Sequence, residues 1–216
     1  MSTSPTTAGD ADRATSPLDT RTRLALSVRD MAPGEEAVVV AILVDAFDRD
    51  PLAHWLYPNA DERRANHEKI FGEVVRTPPP GTLIEVTSDL GTVAIWYPPG
   101  TTGGRNDDPS GTTGGNDDPS GPTPDAAALF AAIDAATPPQ PFWNLAFLGA
   151  RVRGAGGGSA LLRHRLSALG DVPSALWTGN EANLAFYARF GFVPVSRHDV
   201  PRASAWWLTG GRGRRA

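Results

Sequence analysis

The sequence predicts an α/β protein in which a mixed sheet is covered by helices. Three observations carry the prediction. Strand-like runs alternate with runs at helical spacing, hairpin signals stand at both ends of that series, and an apolar segment at 142–149 passes through a glycine cluster straight into a helix. With 216 residues, 40% hydrophobic and 20% charged, the chain can bury one sizeable core and is short for two.

In order along the chain, 24–28 reads as a short first strand. Val39, Ile42, Leu43, Ala46 and Phe47 then recur at helical spacing up to Asp50-Pro51. A second helix at 61–76 places His67, Ile70, Phe71, Val74 and Val75 on one stripe, where His67 reads as a packing residue, and Thr77-Pro78-Pro79-Pro80-Gly81 breaks it. The β-rich runs 82–87 and 92–97 flank Ser88-Asp89-Leu90-Gly91 as a hairpin.

A short helix is expected at 126–135 and a strand at 142–149, followed by a helix carrying Leu162, Leu166 and Leu169. Next come a strand at 175–178, Asn180 as an N-cap with Glu181 in the first turn, and a helix over 182–190. Strands at 192–195 and 205–208 close the series. Trp206 and Trp207 are adjacent in the last one, so they take opposite faces; at most one is expected in the core, leaving the other to a partner or substrate.

The head at 1–23 is polar, and residues 101–121 repeat one polar unit almost unchanged, Thr-Thr-Gly-Gly-Arg-Asn-Asp-Asp-Pro-Ser-Gly and then the same without its arginine. Nothing in that unit could offset the entropy of ordering it, so an insertion at 101–124 is expected to be a flexible surface loop rather than a solenoid. The expected organisation is a disordered head at 1–23, a single domain at 24–209 and a flexible basic tail at 210–216.

A formal charge of -4 without long single-sign runs argues against nucleic acid and anionic membrane surfaces as partners. There is no cysteine, and His54, His67, His164 and His198 are scattered, so no metal site is expected. No apolar leader or membrane-length segment is present, which leads to the expectation of a cytoplasmic protein. Lys69 is the one lysine among many arginines, a usage suggestive of a GC-rich bacterial genome.

Chemistry concentrates in Arg153-Gly154-Ala155-Gly156-Gly157-Gly158-Ser159, between the buried strand and a helix. Glycines let backbone amides approach an anion at the positive end of a helix, and the Ser159 hydroxyl adds a donor. A nucleotide P-loop would need a lysine after its last glycine, and a dinucleotide fingerprint would follow the first strand. Neither condition is met. Arg153-x-x-Gly156-x-Gly158, continuing into Ser159-Ala160-Leu161-Leu162, resembles the signature of the GNAT-type N-acetyltransferases. The run from Trp177-Thr178-Gly179-Asn180 through Tyr187 to Phe190-Gly191-Phe192 resembles the second half of that family. The spacing of Phe47, Asp50-Pro51, Trp55 and Pro58, with the Trp143 strand, is most similar to the puromycin N-acetyltransferase group. Gly149-Ala150-Arg151-Val152-Arg153 departs from the common form, being two residues shorter and lacking its proline.

The resemblance implies a GNAT-like acyltransferase fold, a mostly antiparallel sheet splayed at the cofactor cleft, with acetyl-CoA or another acyl-CoA as donor. Leu148, Gly149 and Ala150 would pair with the pantetheine arm, and Arg153, Gly154, Ala155, Gly156, Gly157, Gly158 and Ser159 would hold the pyrophosphate. Asn183 would bond the cofactor, and Tyr187 would be the general acid for the leaving thiolate. Asp50, His54, Trp55, Tyr97 and Trp143 are the expected substrate contacts, as aromatic walls and an attractive charge for an amine. The general base is left unassigned, with Glu85, Asp50 and His54 as surface candidates.

Three readings stay open: acetyl transfer to a small-molecule amine such as an antibiotic or a natural-product intermediate, transfer of another acyl group or from an acyl carrier protein, and a non-catalytic CoA-binding module. A monomer and a homodimer are equally compatible.

Overall fold

A computed structural model describes residues 26–101, 123–139 and 141–210. The head at 1–23, the duplicated run 102–121 and the tail beyond 210 lie outside the described residues. Among those described, seven strands form one sheet in the order β1-β2-β3-β4-β5-β7-β6. They are β1 (Val28–Asp30), β2 (Leu83–Thr87), β3 (Thr92–Tyr97), β4 (Trp143–Ala150), β5 (Ser174–Thr178), β6 (Val193–Val200) and β7 (Ala203–Gly210). Every neighbouring pair is antiparallel except β4 and β5. A parallel pair needs a long crossover. Helix α5 (Gly157–Leu169) supplies it.

The first strand sits later than expected. Val28 pairs with Thr87, the last residue of β2, and the ladder runs on to Asp30, while positions 24 and 25 of the expected run lie outside the described residues. The first expected helix is α1 (Glu36–Phe47), but Asp50-Pro51 is not simply its end. Asp50 accepts a hydrogen bond from Leu52 N at 2.9 Å and caps α2 (Pro51–Leu56), with Pro51 in the first turn, where its missing N–H costs nothing. Helix α3 (Ala60–Arg76) follows, capped by Asn59 onto Asp61 N and Glu62 N.

β3 is buried along its whole length because both faces are covered. Val93, Ile95 and Tyr97 pack under α1 and α3, while Ala94 and Trp96 face Leu161 and Leu162 of α5. A third cluster joins Leu52 of α2 and Leu129 and Ile133 of α4 (Pro124–Ala135) to Ala175, Ala205 and Trp207.

That double cover corrects the expectation for the tryptophan pair. Trp206 and Trp207 do take opposite faces, yet both are buried, one in the α5 core and the other in the α4 core, where its Nε1 donates to Ile133 O at 2.7 Å. The last hairpin is longer than expected because Ser196-Arg197-His198-Asp199 continue β6 as a solvent-facing edge strand.

Candidate active site

β4 and β5 pair only at Trp143 with Ser174 and Asn144 with Ala175. Past that point β4 runs on to Ala150 and β5 to Thr178 without touching one another's ladder. The divergence has a local cause. Ile95 opposes Phe147 while Trp96 opposes Leu145, so Ala146 is an extra residue in β4, and a bulge of this kind bends and twists its strand. Leu148, Gly149 and Ala150 stand on the diverging part. Arg49 ties the far end by donating to Ala150 O at 3.0 Å and Arg151 O at 3.3 Å, and Arg151 N donates to Gly91 O at 2.9 Å. These contacts close the connection that is shorter than the common family form.

The glycine turn follows directly. Gly154 and Gly156 have φ of +82° and +94°, the left-handed region, and a Cβ at either would meet open space. Gly156 is the N-cap of α5 and offers no side-chain cap to the first-turn amides, and no acidic residue shares that turn. Arg153 and Ala155 are exposed beside them, while Gly158 and Ser159 are half-buried. Gly157 is buried, and a Cβ there would collide with Thr92 Oγ1 and lie 2.8 Å from Thr92 Cβ, so the helix start is pressed onto β3. A bare, left-handed cradle at a helix N-terminus fits a diphosphate such as that of CoA.

Tyr187 lies on α6 (Leu184–Ala188), buried among Phe186 at 5.2 Å and Phe192 at 6.1 Å between ring centroids. Burial first, and the charge of Asp50 second, push its hydroxyl well above the usual tyrosine pKa. The phenol therefore keeps its proton throughout the working range. Asn180 caps the 3-10 turn Glu181–Asn183 through Ala182 N at 3.1 Å, as its place in the sequence predicts, and its amide reaches Asp50 Oδ2 at 3.4 Å. Asn183 is half-buried, and its amide donates to Thr178 Oγ1 at 3.3 Å. Asp50 thus joins α2 to the segment after β5.

The remaining expected substrate contacts are dispersed. His54 is exposed, with Nε2 2.7 Å from Asp48 O. Trp55 packs with the α4 cluster, Tyr97 with the α1 and α3 cluster, and Trp143 with the α5 cluster. Burial raises the Tyr97 hydroxyl to about 12.

Glu85 is not a surface residue. It is 1% exposed and held bidentately by Arg165, at 2.7 and 3.2 Å, with His164 Nε2 at 3.4 Å. That ion pair removes it from the candidate bases. Sequence reasoning passed over Phe147 and the link from Asp50 to Asn180; an aspartate directly before a proline, the pattern of a capped helix start, is the signal that pointed to the latter.

The arrangement as a whole is that of the GNAT N-acetyltransferase fold. No protein-family model and no curated protein matches the chain. Solved structures do. One described as histone acetyltransferase HPA2 and related acetyltransferase from Corynebacterium glutamicum superposes with a TM-score of 0.62 at 22% identity, covering 88% of this chain and 98% of its own. An agmatine N-acetyltransferase mutant gives 0.56 at 14%, covering 85% and 98%. The C-terminal condensation domain of Ebony, in complex with β-alanyl-dopamine, gives 0.55 at 9%, covering 85% and 97%.

Proposed function

We propose that the protein is an acyl-CoA-dependent N-acyltransferase that moves acetyl from acetyl-CoA to the amine of a small molecule by direct attack in a ternary complex. The observation that supports this reading is that the start of α5 meets both the unpaired stretch of β4 and the helix carrying Tyr187: the Cβ position of Gly158 lies 3.6 Å from Leu148 and 3.4 Å from Phe186. Acetyl-CoA, when bound, supplies an activated thioester.

Gly154, Gly156, Gly157 and Gly158, with Arg153, Ala155 and Ser159, hold the diphosphate against main-chain N–H groups. Leu148, Gly149 and Ala150 offer strand groups to the pantetheine arm, and a β4 amide facing the thioester oxygen favours the charge that develops there, an effect of about 3 kcal/mol per donor. Tyr187 gives its proton to the departing sulfur, and Asn183 steadies the approach of α6 to the donor. Asp50 draws the ammonium group toward the opening. His54, Trp55, Tyr97 and Trp143 shape the surroundings from α2, β3 and β4.

Two neighbours named above carry small amines or an amine conjugate in their descriptions, agmatine and β-alanyl-dopamine, which supports a small-molecule acceptor. An antibiotic or natural-product amine of the puromycin type is the acceptor class we favour.

Mass spectrometry of products from an amine panel with acetyl-CoA tests the reading. Acetylated amine with the wild type and its collapse in Tyr187→Phe are expected. CoA binding without turnover across the panel would instead identify a binding module, and turnover only from a loaded carrier protein would identify a different donor.

A further inference from the structure

The reaction so described needs a group that takes a proton from the ammonium form of the acceptor, and β4 carries no carboxylate to do so. Helix α3 brings one group to this face of the sheet. His67 is 6% exposed, and its Nδ1 is buried with no hydrogen-bond partner among the described residues. Buried polar atoms are rarely left so, and those that are call for an explanation.

The ring stands 5.5 Å from Phe71, 6.4 Å from Phe47 and 6.5 Å from Tyr57 between centroids. Phe147 closes on Phe47 at 5.9 Å and on Phe71 at 5.3 Å. Phe147 belongs to the part of β4 that has left β5, and His67 connects to it through Phe47 and Phe71.

The charged and titratable groups around His67 are few. Asp48 and Asp50 come from the connection between α1 and α2, Arg63 from α3 itself, and Tyr57 from the end of α2; Phe47, packed on it from α1, is apolar. Asp48 is held by Arg63 Nε at 2.7 Å, so its charge is already matched. Desolvation outweighs the two carboxylates and holds the imidazole below the usual histidine pKa. At neutral pH it is uncharged, with a lone pair available. The charge of Asp50 acts on both His67 and Tyr187.

We propose that His67 is the general base of the acyl transfer, serving primary amines with an apolar body that rests on Phe47, Tyr57 and Phe147. This rests on the acyltransferase reading above. His67 Nδ1 takes one proton from the ammonium, directly or across one water. The amine nitrogen then forms its bond to the thioester carbon while the carbon–sulfur bond breaks. Tyr187 protonates the sulfur and recovers its proton from the acylated nitrogen, and His67 releases the first proton to solvent.

The test is steady-state kinetics of the full chain with acetyl-CoA and phenethylamine, tyramine or agmatine, from acid to alkaline pH, for wild type, His67→Gln and His67→Phe. Wild-type kcat/KM should rise with pH through a midpoint below the ordinary histidine value and then level. Both variants should lose kcat by about 10²–10⁴-fold with the acetyl-CoA KM unchanged. They should also lose that limb, the logarithm of the rate climbing with unit slope toward the amine's own pKa, since only free amine then reacts. A folded variant that keeps the wild-type limb and rate overturns the proposal. NMR titration of His67 in the wild type gives a second measure independent of any variant: its midpoint should coincide with the kinetic limb, and a clear mismatch overturns the assignment. A wild type that binds acetyl-CoA but acetylates none of the amines overturns the acyltransferase reading and this proposal with it, whereas turnover with unaltered variants overturns only the role of His67.

Discussion

Replacing Arg165 with methionine strands the Glu85 carboxylate. Glu85 on β2 is 1% exposed and Arg165 on α5 is 15% exposed, with two short N–H···O contacts between them. Removing one partner of a buried pair costs about 3–5 kcal/mol, because the other charge stays behind in a poor solvent. His164 stands 3.4 Å from the same oxygen but is half exposed, so it offsets at most about 1 kcal/mol. The expected loss for Arg165→Met is therefore about 2–5 kcal/mol, a large share of the roughly 5–15 kcal/mol typical of a folded domain. At about 2–4 °C per kcal/mol the melting point should fall by roughly 4–20 °C.

Urea unfolding of wild type, Arg165→Met, Glu85→Gln and the double variant completes the cycle. Neutralising the stranded carboxylate should bring the double variant back to within about 1.5 kcal/mol of wild type, since an uncharged pair of similar shape has little to desolvate. A loss under about 1 kcal/mol in Arg165→Met, or no recovery in the double variant, would refute the reasoning.

Tyr187→Phe should lower kcat by about 10²–10⁴-fold while calorimetry finds acetyl-CoA affinity unchanged, and because the phenol holds its proton at all working pH the wild-type rate should show no alkaline limb from this group. Gly156→Ala places a Cβ where φ is +94°, a strain of about 1–2 kcal/mol; CoA binding by calorimetry should weaken several-fold, and unchanged affinity would argue against the cradle. Glu35 is bound bidentately by Arg29, at 2.7 Å in both contacts, and by Ala32 N, which lowers its carboxyl from 4.5 to about 2. Its stabilisation is thus complete above the unfolded value near 4.5 and fades as pH falls toward 2. NMR titration should find that low midpoint, and Arg29→Ala should return it close to 4.5.

What could be read from sequence was whatever depends on near neighbours. The stripes of α1 and α3, the β2–β3 hairpin, the Asn180 cap and the glycine turn depend on residues a few places apart, and they stand where the sequence puts them. Distant partners decided the rest. Glu85 looked like a surface strand residue because Arg165 is 80 positions away, and Trp206 and Trp207 could both be buried only once helices covered both sheet faces. His67 shows both sides of this. Its stripe announced the burial, whereas the surroundings of the bare Nδ1 depend on rings from two other segments, Phe47 and Tyr57. The divergence of β4 from β5 came only from the family resemblance, because in the largely apolar run 142–149 no alternation exists to betray a surplus residue.

That surplus residue, Ala146, shares the α1 side of the sheet with Phe147. Leu145 belongs to the α5 side, whereas Phe147, two positions on, belongs to the α1 side, a reversal that strict up-down alternation forbids. Excising Ala146 would restore strict alternation without turning any side chain over: Phe147, then next to Leu145, would still face Phe47 and Phe71, and Gly149 would still lie against Leu43. A single added alanine therefore bends the strand where two neighbours part, while the side each residue around the gap presents is the one an uninterrupted strand would give.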